Sequence, residues 1–220
     1  MNIMKPKKNI KSLIVLGENG VGKTTVLYNY SKNKEMSSIY KETIVADYFY
    51  KEITYKEETW LLNFWDTNGK ERTSKGLPNN LYRNCNAIIL LCSYDKKDSF
   101  ETLSSWLEFI KTNTNNKQIP IVLLVNKSDL PKDKKLLINS EIKQFSEQNR
   151  IPSLEISSKY KSIEEGINLM LSLLSGDILN SDTFYGFRKP TGTVSNTKVL
   201  DGKKTSRSMS FVEPKTKKCC

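Results

Sequence analysis

Short apolar runs alternate with amphipathic stretches along most of the chain, the pattern of an α/β domain built from βα repeats on a mostly parallel sheet. Residues 10–16, 87–93 and 119–125 carry continuous apolar runs of strand length, which suit strands covered on both faces. Residues 43–55 and 59–65 predict two further strands, joined by a charged turn near 56–58 that is short enough to make them an antiparallel pair. A last short strand is expected at 152–156. Helical spacing marks 23–32, 98–111, 136–148 and 162–174. In the second of these, Phe100, Leu103, Leu107 and Ile110 share a face, and Asp98 or Ser99 is the expected cap. The whole reads as about six strands and about five helices. Past residue 175 the periodicity stops, and Ser, Thr, Lys, Gly and Asn dominate. The expected organisation is a basic extension at 1–9, one folded domain at 10–175 and a flexible tail at 176–220.

Two motifs fall on loops at strand ends. Gly17-Glu18-Asn19-Gly20-Val21-Gly22-Lys23-Thr24 fits GxxxxGK[ST] between the first strand and the first helix. Glycines let such a loop curl so that its N–H groups, continuing to Thr25, face phosphate oxygens, and the helix N-terminus adds partial positive charge. The Lys23 ammonium bridges the outer phosphates and the Thr24 hydroxyl ligates Mg²⁺. Asn126-Lys127-Ser128-Asp129 follows the apolar strand at 119–125, at a carboxyl end where open α/β sheets bind ligands. A carboxylate there accepts from the N1–H and 2-amino group of guanine. Adenine offers neither donor, and the unpaired carboxylate would cost ~1–3 kcal/mol or more. A phosphate-loop kinase or ATPase is disfavoured on that ground.

With these motifs the chain resembles the Ras-like small GTPases over about residues 10–174. The resemblance implies GTP/GDP and Mg²⁺ as ligands. Asp66-Thr67-Asn68-Gly69 looks like that family's DxxG switch, with Asp66 reaching Mg²⁺ through water and the Gly69 N–H bonding the γ-phosphate. Thr43 looks like the threonine that senses Mg²⁺ and γ-phosphate, within an effector loop of Ile39, Tyr40, Lys41, Glu42, Thr43, Ile44, Val45, Ala46 and Asp47. Glu155-Ile156-Ser157-Ser158-Lys159 is similar to the ExSAK stretch, where the Ser158 N–H meets the guanine oxygen and the Lys159 stem covers the base. Trp65-Asp66-Thr67, Glu71-Arg72, Tyr82-Arg83 and Cys219-Cys220 look like Rab proteins.

The net charge of +11 raises nucleic acid or an anionic membrane as partners, and its distribution favours the membrane. Lys5, Lys7, Lys8 and Lys11 stand near the start, nine Lys/Arg face four Asp/Glu from Gly176 onward, and the middle is nearly neutral. No nucleic-acid partner is expected. No run approaches the ~20 apolar residues of a membrane span. Four cysteines and no histidine make a zinc site improbable; Cys85 and Cys92 read as buried small hydrophobes. The resemblance implies geranylgeranyl groups on Cys219 and Cys220. Two lipids anchor stably where one does not, and Lys215, Lys217 and Lys218 add ~1 kcal/mol each on an anionic surface. A monomer on the cytoplasmic face of an endomembrane or the plasma membrane, with a cytosolic pool, is the expected state. Effectors, an exchange factor, a GTPase-activating protein and a GDP-dissociation inhibitor are the expected partners.

The chain departs from the family pattern at several places. Lys70 stands where the family has the Gln that orients the attacking water. An ammonium donates hydrogen bonds and accepts none, so Lys70 is expected to pair with γ-phosphate oxygens, slow hydrolysis and favour the GTP state. A non-hydrolysing, GTP-bound scaffold is the alternative. Asn68 replaces a small alanine. The aromatic that lies over guanine in the family has no counterpart near 35–36, where Ile39 or Tyr40 substitutes. Gly76 and Pro78 break the helix expected over the second switch, leaving it mostly loop.

Overall fold

A computed structural model of the chain describes residues 9–32, 43, 46–72, 77–159 and 163–176. The described residues lie in one compact unit, Met1–Phe187; a second unit, Arg188–Cys220, contains none of them. The expected strands at 10–16, 87–93, 119–125 and 152–156 appear as β1 (Asn9–Leu16), β4 (Ala87–Ser93), β5 (Ile121–Asn126) and β6 (Ser153–Glu155). The antiparallel pair is β2 (Ala46–Tyr55) and β3 (Glu58–Thr67). They form one six-stranded sheet in the order β2-β3-β1-β4-β5-β6, parallel except for β2 against β3. The β2–β3 turn needs only Lys56 and Glu57, both at positive φ (48° and 63°), the handedness of a tight hairpin turn that matches strand twist.

The helices are α1 (Lys23–Lys32), α2 (Asn79–Asn84), α3 (Lys97–Glu101), α4 (Leu103–Asn113), α5 (Asn139–Asn149) and α6 (Ile163–Ser175). The stretch expected as one helix at 98–111 is thus two, divided at Thr102. Backbone bonds run through the division, from Thr102 N to the Asp98 carbonyl and from Trp106 N to the Thr102 carbonyl, each 3.1 Å. Neither expected residue caps it. Ser99 lies inside α3, buried, with its hydroxyl donating to the Lys96 carbonyl and accepting from Ser93 N–H. The helix expected from 136 begins only at Asn139. A 3-10 turn at Lys132–Lys134 precedes it, and Leu136 N–H is taken by the Tyr94 carbonyl at 2.7 Å, which keeps the chain extended there.

The strand periodicity of two explains the core. Ile14, Leu16, Ile88, Leu90, Leu123 and Val125 pack on one face with Tyr82, Trp106, Ile110 and Ile142. Their neighbours Leu13, Val15, Ile89, Leu91, Val122 and Leu124 pack on the other with Leu27, Tyr30, Ile167, Met170 and Leu171. Every residue of β4 and β5 is therefore buried, as their unbroken apolar runs require. Cys85 and Cys92 are buried in the same core, as expected. Burial pushes the two thiols up to about 11 and about 12. Among the described residues no helix is long and apolar enough to cross a membrane.

Candidate functional site

The carboxyl ends of β1, β3, β4 and β5 bring their loops to one edge of the sheet. The first is the phosphate loop between β1 and α1. Gly22 has φ 96°, and a Cβ there would lie 2.5 Å from the Asn126 amide nitrogen, so only glycine lets these two loops touch. Lys23 is buried. Its Nζ donates to the carbonyls of Gly17 (2.8 Å) and Glu18 (3.0 Å), and burial lowers its pKa against the opposing charges of Glu71, Asp66 and Glu18. Val21 is buried and Thr25 lies half-buried in α1. The Glu18 carboxylate points elsewhere. Its Oε1 pairs with Arg72 and accepts from the Thr102 hydroxyl (3.0 Å) and Trp106 Nε1 (3.2 Å).

Beside this loop, three side chains from separate segments meet. The Thr24 hydroxyl donates to Asp66 Oδ2 at 2.6 Å and lies 2.9 Å from the Thr43 hydroxyl, which itself reaches Asp66 Oδ2 at 3.3 Å. Asp66 is fully buried, and its other oxygen, Oδ1, has no hydrogen-bond partner. Burial drives its carboxyl up to about 6, against the pull of Thr24 and Lys23. Two hydroxyls around a carboxylate with an orphaned oxygen is the all-oxygen donor set of a hard divalent cation, so these residues fit Mg²⁺.

Behind Asp66, the Thr67 hydroxyl donates to the Val15 carbonyl at 2.8 Å, anchoring the end of β3. Gly69 has φ 89°, and a Cβ there would fall 2.5 Å from Asn19 N, so the second-switch backbone packs directly on the phosphate loop. The Gly69 N–H donates to both carboxylate oxygens of buried Glu71 at 3.1 Å. Lys70 is exposed, with its backbone N–H on Asn68 Oδ1 at 2.7 Å. Residues 68–72 are loop, and α2 starts after Pro78. Of the expected effector loop, Thr43 is buried at the site, while Ala46 and Asp47 open β2 in register with Thr67 and Asp66. Ile39, Tyr40, Lys41, Glu42, Ile44 and Val45 lie outside the described residues.

The third loop group gathers the residues expected around guanine. Asn126 is buried with both ends of its amide engaged: Nδ2 donates to the Val21 carbonyl (2.9 Å) and Oδ1 accepts from Ser158 N–H (3.0 Å). Lys127, at φ 65°, donates to the Gly20 carbonyl (3.1 Å) and to Asp95 (2.8 Å). Asp129 accepts from the Ser157 hydroxyl at 2.6 Å and pairs with Lys159 at 3.2 Å. Burial alone would raise its carboxyl, but Ser157 and Lys159 outweigh that and hold it below the usual carboxylate range. The Ser158 N–H, expected to meet the guanine oxygen, is the donor to Asn126 here. Asn29, which no motif singled out, donates from α1 to the Ser158 carbonyl at 2.5 Å. Asp95 and Asn29 escape a motif search because their partners, Lys127 and Ser158, come from other loops.

The Ras family model matches residues 12–174. The chain belongs to the Ras family, in its Rab branch. It is 33% identical over 190 residues to a Ypt/Rab-type GTPase, ypt7, of Schizosaccharomyces pombe, covering 84% of this chain and 91% of that protein. It is 34% identical over 159 residues to the Ypt/Rab-type GTPase YPT7 of Saccharomyces cerevisiae, covering 70% and 75%, and 31% identical over 169 residues to the Ras-related protein Rab7 of Pisum sativum, covering 74% and 78%. Guanine-nucleotide binding and GTP hydrolysis come with membership of this family. Its six-stranded sheet with one antiparallel pair is the phosphate-loop GTPase fold expected from the pattern.

Proposed function

We propose that the protein is a membrane-anchored GTP/GDP switch of intracellular vesicle traffic, which recruits effector proteins in its GTP state and hydrolyses GTP slowly. The observation that carries this reading is the meeting of Thr24, Thr43 and Asp66 beside a phosphate loop, with Asp129 held ionised at the far end of the same edge. Mg²⁺, when bound, neutralises phosphate charge. Lys23 exchanges its two carbonyl partners for phosphate oxygens. Thr43 and Gly69 sense the terminal phosphate, and their segments order or release with its presence, the difference that effectors read. Asp129 selects guanine through its two acceptor oxygens. Glu71 must leave the Gly69 N–H before that group can serve an anion, so the switch has two arrangements built from one donor.

Lys70 cannot accept a hydrogen bond from the attacking water, so intrinsic hydrolysis is slow and an activating protein supplies what is missing. Single-turnover hydrolysis should quicken in Lys70→Gln; an unchanged rate removes this part. The exposed position of Lys70 also favours a second reading, a GTP-bound scaffold that does not turn over. Nucleotide extracted from purified protein separates them: GDP indicates turnover, GTP alone the scaffold. An exchange factor and a GDP-dissociation inhibitor complete the proposed cycle. Geranylgeranyl thioethers on Cys219 and Cys220, beside Lys215, Lys217 and Lys218, would hold the protein on the cytoplasmic face of an endomembrane. Replacing both cysteines should render it cytosolic, and persistent membrane attachment of that variant would rule the anchor out. The whole reading fails if the folded protein has no affinity for GTP or GDP in the presence of Mg²⁺.

A further inference from the structure

Lys96 touches the phosphate loop without belonging to its motif. It lies between β4 and α3, 77 residues from Asn19, and its Nζ donates to the Asn19 carbonyl at 2.6 Å. A Cβ built on Gly20 would stand 3.5 Å from the same nitrogen. Among the described residues Lys96 makes no ion pair; of the nearby acids, Asp95 pairs with Lys127 and Glu101 with Lys97. Lys23 meets the same loop through carbonyls alone, those of Gly17 and Glu18. Two ammonium groups therefore hold three successive carbonyls of one short loop. They repel each other, and Lys96 adds to the burial that depresses Lys23. Carbonyls are weak partners for two clustered cations. A polyanion entering the loop relieves the repulsion and gives both ammonium groups charge-assisted bonds.

Asn19 indicates which end of that anion lies nearest. Its other side backs on the second switch, since a Cβ on Gly69 would meet Asn19 N at 2.5 Å and Asn19 Cα at 2.8 Å. Gly69 is the residue that answers the terminal phosphate in the function proposed above. Asn19 is thus shared between the γ-phosphate sensor and the Lys96 ammonium. Resting on that reading, we propose that Lys96 is a second phosphate-contacting lysine, which leaves the Asn19 carbonyl for the terminal phosphate and sharpens the preference for tri- over diphosphate. Its four-carbon stem allows the exchange by side-chain rotation alone, with no backbone movement.

A plain structural role would have Lys96 clip the β4–α3 connection to the loop in every state. The two roles differ in what they do to GTP against GDP. The full chain, with Mg²⁺, would be titrated with fluorescent GDP and a fluorescent non-hydrolysable GTP analogue, as wild type, Lys96→Met and Lys96→Arg, with the melting temperature of each. Lys96→Met should weaken the GTP analogue roughly tenfold, the worth of one charge-assisted bond, and GDP less than about threefold, while Lys96→Arg retains the preference. Acylation of wild-type Lys96, read by mass spectrometry, should be suppressed more by the GTP analogue than by GDP, a readout that needs no variant to fold. Equal weakening of both nucleotides, no weakening, or equal acylation would overturn the proposal. A wild type that binds neither nucleotide would instead overturn the function on which it rests.

Discussion

The two ends of the site hold their carboxylates in opposite ways. Asp129, at the end proposed to take guanine, is held by the Ser157 hydroxyl and the Lys159 ammonium and titrates low. Asp66 at the phosphate end is fully buried, has one oxygen without a partner and titrates near 6 despite two hydroxyls and the nearby Lys23. The protein's own groups satisfy the first charge, while the second keeps an oxygen suited to a hard cation.

That contrast can be broken experimentally. The largest effect belongs to Asp129→Ala, which should cut GTP affinity by at least about a hundredfold and abolish preference over ATP, since a charged acceptor for two donors is lost. Competition binding with both nucleotides measures it. Removing charge from apo protein should act with opposite signs at the two ends. Asp66→Asn should raise the stability of nucleotide-free protein in chelator by about 3 kcal/mol at neutral pH, because it deletes a carboxylate held some two pH units above its unfolded value. The same variant should lose the Mg²⁺ dependence of nucleotide binding. Asp129→Asn should lower apo stability, and chemical denaturation of both variants gives the signs directly.

A pH series tests the same point without mutation. The folded pKa of Asp66 lies above its unfolded value, so the folded state binds the proton first on acidification. Its contribution to apo stability is fully present below about 4 and is lost as pH rises through about 6. The proton also competes with Mg²⁺, so Mg²⁺-dependent affinity should fall as pH drops below about 6. Asp129 runs the other way, its contribution surviving to below the ordinary carboxylate range and vanishing only at lower pH. The smallest effect is Ser157→Ala. Losing one hydroxyl from the Asp129 cup should weaken guanine nucleotides about threefold to tenfold and leave Mg²⁺ dependence unchanged.

Much of this was legible in the amino-acid order, and the reason is local. Strands β4 and β5 are apolar runs because both their faces are covered, and the phosphate loop is a contiguous motif whose neighbours define its context. The helix boundaries that moved did so for tertiary reasons: Tyr94 draws Leu136 out of α5, and Ser99 spends its hydroxyl on Ser93 and Lys96 instead of capping. The least legible contacts join residues far apart in the chain. Glu18 gathers Arg72, Thr102 and Trp106, and Asn29 reaches Ser158, through pairings no spacing rule contains. Lys70 was visible as an odd residue from its place in the motif, and the structure adds that it is exposed where Lys23 is buried.

Asn126 joins the carbonyl of Val21 to the amide of Ser158, so three stretches of backbone hinge on one side chain. Prising open the base cup would break all of those links together. Thr43 is tied to Thr24 and Asp66, and Gly69 to Glu71, contacts that lie apart from that hub. In the proposed cycle, an exchange factor that acted on Thr43 or Gly69 would leave that hub intact.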